Sequence, residues 1–96
     1  MAKDSGRQIR ARVNRIAGQV NGIGRMVDEG RYCIDILNQI AAVRSALDAL
    51  GVVLLTRHIE HCMLAHGTGA EHENARSMNR EELLEEVQAA LARFLR

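Results

Sequence analysis

The chain has 96 residues, enough for one domain, and 47% of them are hydrophobic, enough to form a core and leave apolar surface for a partner. Only Tyr32 and Phe94 are aromatic, Pro is absent, and no stretch alternates apolar and polar residues for long, which argues against sheets and favours an all-α fold. The net charge of +1 hides six basic residues against one acidic residue in positions 1–27, which indicates either a surface for an anionic partner or a solvated helix face.

No stretch of about 18 consecutive apolar residues occurs, and no apolar run follows the charges of the amino terminus. The sequence therefore predicts neither a signal peptide nor a membrane span, and we expect a cytoplasmic protein without a membrane partner. In a reducing compartment, Cys33 and Cys62 are expected to be metal ligands, redox groups or buried thiols, and not a disulfide.

Apolar residues at alternating spacings of four and three predict a first helix over about 5–28. They are Ile9, Val13, Ile16, Val20, Ile23 and Val27. Basic residues form a band broadly opposite this stripe, with Arg12 near its edge. The band consists of Lys3, Arg7, Arg10, Arg15 and Arg25. A turn is predicted at 28–31, where Gly30 can end a helix without a Cβ penalty.

The same apolar spacing predicts a second helix over about 32–65, on the order of 50 Å long. Its stripe consists of Ile36, Ile40, Val43, Leu47, Leu50 and Leu54. One other long helix cannot cover a helix of this length, so we expect the remaining apolar surface to be buried on another subunit.

The segment 66–78 is polar and contains glycines, which predicts a flexible connection. Beyond it, Asn79 and Glu82 have the spacing of a capping box, and an apolar face predicts a third helix over about 79–95. We therefore expect three helices in a single domain over 1–96. No nucleotide-binding motif occurs and no nucleophile has a recognisable base, so we assign no enzymatic activity.

Three soft donor residues are predicted to lie on the second helix. His58 and Cys62 are four positions apart and would share one face of the helix. Cys33 lies roughly 44 Å from Cys62 along the same helix, so one chain cannot bring the three together. If two copies of this helix pack antiparallel, Cys33 of one comes level with His58 and Cys62 of the other, and the dimer has two equivalent sites.

Two thiolates and one imidazole suit Cu(I), whereas magnesium, calcium and manganese prefer oxygen ligands. Zn(II) would accept the same ligands with a fourth, for which His61 or water is the candidate. The same cysteines of neighbouring chains could instead form a disulfide or polysulfide in a thiol-redox sensor. The simplest alternative is a structural or metal-storage protein, in which each Cys is a small buried hydrophobe and the basic band is merely solvated.

Three stretches are recognisable as motifs: RVNRIAGQVNGIGRM, YCIDILNQIAAVRSAL and HIEHC. Over about residues 7–95 the chain resembles the CsoR/RcnR family of small all-helical bacterial repressors. Cys33, His58 and Cys62 match the Cys, His, Cys set of its copper sensors. Nickel and cobalt sensors use an amino-terminal His, where this chain has Lys3 and Asp4, and a His in place of Cys62. Formaldehyde-responsive members lack the second Cys, and persulfide sensors lack the His.

The resemblance implies a Cu(I)-responsive repressor that binds operator DNA when metal-free and releases it with Cu(I) bound, so that copper-efflux genes are transcribed. It implies an antiparallel four-helix-bundle dimer that pairs into a dimer of dimers. Tyr32 and Glu82 match a pair beside the metal whose hydrogen bonding links metal occupancy to the DNA-binding form. Arg12 and Arg15 match DNA-binding positions. The rest of the band, expected to neutralise phosphates, includes Lys3, Arg7 and Arg10.

Overall fold

The computed structural model describes the backbone of residues 2–95 and the side chains of residues 6–95. This part of the chain is all helical and contains no strand, which confirms the predicted fold class. Its elements are α1 (Ala2–Asp28), α2 (Cys33–His58), a π-helical segment (Ile59–Leu64), α3 (Glu73–Arg76) and α4 (Arg80–Phe94). The three predicted helices correspond to α1, to α2 with the π-helical segment, and to α4, whereas the short α3 was not predicted.

Helix α1 ends in a Schellman motif at the predicted glycine. Gly30 has a φ of +67°, and its N–H donates to the Val27 carbonyl at 3.1 Å. The N–H of Arg31 donates to the Met26 carbonyl at 2.9 Å, which completes the pair of bonds that defines this motif. A residue with a Cβ would be strained at this positive φ, so the glycine is needed for a turn this tight.

Helix α1 and all but the last turn of α2 belong to a compact unit that spans Met1–Leu55. The short turn between them makes them antiparallel neighbours. Ile16 of α1 and Val43 of α2 are buried, and they lie at nearly equal sequence distances from Gly30. This symmetry about the turn is what two antiparallel helices require of residues at the same level.

The predicted apolar stripe of α2 consists of two rows with different surroundings. Residues in the inner row are buried or half-buried and recur every seven positions: Ile36, Val43 and Leu50. Residues in the outer row also recur every seven positions and are exposed in the single chain: Ile40, Leu47 and Leu54. A soluble protein rarely leaves a row of large apolar side chains uncovered along a helix, which favours a partner on this face.

By length and composition alone, the stretch Cys33–Leu64 is apolar enough to cross a membrane, contrary to the expectation from the sequence. A single helix of this kind is weak evidence for a membrane span. Arg44 and Asp48 stand in the middle of its apolar part, where burial in lipid would be costly. Packing against another protein chain would cover the outer row without burying these charges in lipid.

The second compact unit, Thr56–Arg96, has its own small core. Cys62, Ala75 and Leu83 are buried together, with Met63 and Met78 packed against them. Helix α4 begins with the predicted capping box, which is confirmed. The Asn79 Oδ1 accepts the N–H of Glu82 at 2.9 Å, and the Glu82 Oε1 accepts the N–H of Asn79 at 2.9 Å.

The segment after the π-helical segment is not the flexible connection that its composition predicts. It contains α3, where the His72 Nδ1 accepts the N–H of Asn74 at 3.1 Å and so caps the helix. Glu71 turns inward and is buried, and its carboxylate accepts N–H groups from the loop itself. Polar residues that usually indicate a mobile loop here satisfy the loop's own backbone, which orders it.

Candidate metal centre

Cys33 is the first residue of α2, directly after the turn that reverses the chain. Its side chain is exposed, as is that of the neighbouring Tyr32. Cys33 and Cys62 are both free cysteines in the structure. Cys33 is therefore a thiol that a second molecule can reach.

His58 is the last residue of α2, at the point where the helix widens into the π-helical segment. The N–H of Ala65 donates to the Glu60 carbonyl five residues earlier, at 3.1 Å. Wider turns of this kind are rare and often mark functional sites. The prediction of one regular α-helix through residue 65 is therefore wrong for Ile59–Leu64, which form the π-helical segment. Four residues still complete nearly one wider turn, so His58 and Cys62 remain on the same side.

Cys62 has two roles in the structure of the second unit. It is only 6% exposed and packs with Ala75 and Leu83, as the simple structural interpretation of a lone cysteine predicts. Its Sγ also accepts the backbone N–H of His72 at 3.4 Å. A sulfur that accepts an N–H group in an apolar core is oriented as well as buried, and an oriented sulfur is suited to bind a metal.

Among residues 6–95, whose side chains the structure describes, no three His, Cys, Asp or Glu side chains of one chain are close enough to hold a metal ion. Cys33 and His58 are the first and last residues of α2, so about 38 Å of helix separates them. A site that uses both must take them from two chains. The donor set fits Cu(I), because two sulfurs and one imidazole are soft ligands. His61, the candidate for a fourth ligand, is half-buried in the π-helical segment.

The carboxylate of Glu82 is engaged at the start of α4, where one oxygen accepts the N–H of Asn79. Tyr32 precedes α2 and is 69% exposed. The pairing of Tyr32 with Glu82 that the family resemblance implies stays a prediction.

The basic band lies along α1. Its described side chains are exposed, whereas Arg12, which is predicted to lie near the edge of the apolar stripe, is half-buried. The exposed ones are Arg7, Arg10, Arg15 and Arg25. The side chain of Lys3 lies outside the described residues. No acidic residue occurs from position 5 to position 27, so this helix presents an uncompensated positive surface.

Two residues of the second unit were missed in the sequence. Glu71 follows two glycines with positive φ, Gly67 and Gly69, and this local pattern of glycines before a carboxylate was the available signal. His72 contributes its backbone N–H to Cys62, and no side-chain pattern can indicate such a contact.

Comparison with known proteins places these features in a family context. The family model described as metal-sensitive transcriptional repressor matches residues 5–93. The copper-sensing transcriptional repressor RicR of Mycobacterium tuberculosis is 44% identical over 89 residues, which are 88% of this chain and 82% of that protein. The copper-sensing transcriptional repressor CsoR of Bacillus subtilis is 50% identical over 56 residues, which are 58% of this chain and 55% of that protein.

Among solved structures, the copper-sensing repressor CsoR with Cu(I) from Geobacillus thermodenitrificans is similar, with a TM-score of 0.76 and 38% identity. The similarity covers 94% of this chain and 85% of that one. It therefore extends over both compact units.

Proposed function

The chain belongs to the family of metal-sensitive transcriptional repressors, and we propose that within it this protein is a Cu(I)-responsive repressor. The metal-free protein binds operator DNA in the cytoplasm, and Cu(I) binding lowers its DNA affinity so that copper-efflux genes are transcribed. Relatives named as copper-sensing repressors, and a similar structure with Cu(I), support the choice of metal. Binding and release of DNA require no enzymatic activity.

The observation that carries the proposal is the symmetry of α2 about Leu47. Leu47 is the central residue of the exposed outer row, with Ile40 and Leu54 seven positions to either side. It also lies midway between Cys33 and the turn that contains Cys62. A two-fold axis at Leu47 would thus cover the outer row and align the metal donors in one arrangement.

In such an antiparallel dimer, Ile40 of one chain would face Leu54 of the other. Cys33 would then come level with the His58 to Cys62 turn of the partner chain, and two equivalent three-ligand sites would form. The same register would cover the outer row and align the metal donors, so neither requires a shift of one helix along the other. We propose that these dimers pair further into a dimer of dimers.

Basic residues of α1 form the proposed DNA-binding surface. Arg12 and Arg15 would contact the operator, and three other basic residues of the helix would neutralise phosphates: Lys3, Arg7 and Arg10. Contacts of this kind release counterions, so operator binding should weaken steeply as salt is added. Because metal and DNA favour different forms of the protein, each lowers the affinity for the other by the same factor. Tyr32 and Glu82 are the proposed pair that links the two sites.

Operator binding of metal-free, Cu(I)-loaded, Zn(II)-loaded and sulfide-treated protein tests this proposal. The measurement is fluorescence anisotropy of labelled promoter fragments under anaerobic conditions. We expect tight binding without metal and a loss of affinity, on the order of 5- to 150-fold, that is complete at one Cu(I) per chain.

Two results would favour the other interpretations. Release by sulfide alone, retained in full by His58→Ala, would indicate a thiol-redox sensor built on Cys33 and Cys62. Failure of the metal-free protein to bind any promoter fragment, even at low salt, would indicate a helical metal-binding protein without a DNA partner.

A further inference from the structure

A buried carboxylate lies close to Cys62 in the fold and has no part in the proposed copper chemistry. Glu71 is only 5% exposed. Its Oε2 accepts the N–H groups of Gly67 and Gly69, each at 3.2 Å, and its Oε1 lies 3.6 Å from the Nε of Arg76. The loop from Ala65 to His72 thus wraps around this one side chain.

The carboxylate of Glu71 is charged at neutral pH. Its own backbone N–H contributes most to lowering its pKa, and the N–H groups of Gly69 and Gly67 add to this effect. Burial opposes the shift, and the nearby His66 reinforces it, so that the pKa lies below its ordinary value. The loop therefore closes around an anion, and charge-assisted hydrogen bonds of this kind are stronger than neutral ones.

The loop held by Glu71 covers Cys62. The next residue in the chain, His72, donates its N–H to the Cys62 Sγ at 3.4 Å. Ala75 of α3 is buried against Cys62, and its carbonyl accepts the Nε2–H of His66 at 2.9 Å. Because residues 71 and 72 share a planar peptide unit, a displacement of Glu71 must also displace the N–H that orients the sulfur.

We propose that Glu71 is a positioning residue for Cys62: it clamps residues 65–76 over the thiol, fixes the direction of the sulfur through His72, and limits access to it. As far as it concerns metal binding, this inference rests on the proposed function. As far as it concerns the shielding of the thiol, it stands on the geometry of the second unit alone.

Alkylation of Cys62 tests the shielding. In a Cys33→Ala background, Cys62 is the one remaining thiol, so the rate of reaction with a small maleimide at fixed pH reports its accessibility. We expect Glu71→Ala to raise this rate about fivefold or more, the effect of losing at least one hydrogen bond. Glu71→Gln should restore much of the protection, since its amide oxygen can accept the same two glycine N–H groups.

Glu73→Ala is the matched control, because it removes an exposed carboxylate from the same segment. It should leave the alkylation rate unchanged. Circular dichroism and thermal unfolding establish that each variant is folded, and amide exchange at Gly67 and Gly69 reports the clamp directly. If Glu71→Ala fails to fold, the alkylation rate of Cys62 and the amide exchange in Glu71→Gln test the proposal instead. An unchanged rate in folded Glu71→Ala, or an equal rise in Glu73→Ala, overturns the proposal.

A second experiment tests the role of Glu71 in metal binding. The Cu(I) affinity of the chain that retains both cysteines is measured in competition with a chromophoric Cu(I) chelator. We expect Glu71→Ala to weaken Cu(I) binding about fivefold, with Glu73→Ala unchanged. If wild-type protein takes up no Cu(I), the proposed function fails while the alkylation result still decides the role of Glu71. A raised alkylation rate with unchanged Cu(I) affinity overturns the role of Glu71 in metal binding.

Discussion

Mixing two inactive variants should restore copper binding if the site is shared between chains. Cys33→Ala removes one ligand from both sites of a dimer, and Cys62→Ala does the same, so each variant alone should lose tight Cu(I) binding. A mixed dimer combines Cys33 of one chain with His58 and Cys62 of the other in one intact site, while its second site lacks both sulfurs. Random pairing makes half of the dimers mixed, so about one quarter of the wild-type capacity should return.

The assay is co-refolding of the two variants at equal concentration, followed by anaerobic Cu(I) titration against a chelator. A reciprocal control uses wild type mixed with the Cys33→Ala, Cys62→Ala double variant. In that case each mixed dimer loses both sites. When the chains re-pair, the Cu(I) capacity of the mixture should therefore fall from about one half to about one quarter of the capacity of wild type alone. The geometric reason is the length of α2, about 38 Å between Cys33 and His58. No recovery on mixing the single variants, or full uptake by either one alone, would refute a shared site.

Three further predictions address the interface, the DNA surface and the clamp. Leu47→Glu should place like charges at the proposed two-fold axis and yield monomers in analytical ultracentrifugation. The control Asn38→Glu, on a different face of α2, should remain dimeric. Dimers of Leu47→Glu would contradict the proposed register. Arg15→Ala should weaken operator binding and reduce the slope of its salt dependence by about 1 without changing Cu(I) affinity; an unchanged slope would remove Arg15 from the interface. Because the pKa of Glu71 is lowered from 4.5, its contribution to stability is complete at neutral pH and is lost as the pH falls below about 4.5 towards the folded-state pKa. The unfolding free energy of Glu71→Gln should therefore fall less between pH 6 and pH 3, and an equal fall would contradict the clamp.

Features that depend on neighbouring positions in the chain were predictable from the sequence. At the end of α1, Gly30 and Arg31 donate to carbonyls three and five positions earlier, respectively, and the capping box joins Asn79 to Glu82. Both arise from backbone geometry that a few residues determine, so their residue types are sufficient to indicate them. These signals indicated where α1 ends and where α4 begins.

Features that depend on distant contacts were not predictable. Periodicity identified the apolar positions of α2, but it cannot indicate which neighbour covers each of them, so the inner and outer rows appeared as one stripe. Cys62 of the π-helical segment is buried against Ala75 and Leu83, which lie more than ten positions further along the chain. A composition that is polar and rich in glycine is equally compatible with disorder and with a loop closed around Glu71, and tertiary packing decides between them.

The capping box bears on how metal binding can be linked to DNA release. One oxygen of Glu82 accepts the Asn79 N–H, which fixes the direction in which the other oxygen lies. The next residue, Leu83, packs against Cys62, so a shift of the sulfur on binding a metal would act directly on the first turn of α4. A change that broke the box would cost about 1 kcal/mol, the usual contribution of an N-cap. Coupling between allosteric sites is typically about 1–3 kcal/mol, so the loss of this one capping box is comparable to the lower end of that range. A change in this local contact could therefore supply a substantial part of the coupling without a rigid-body movement of α4.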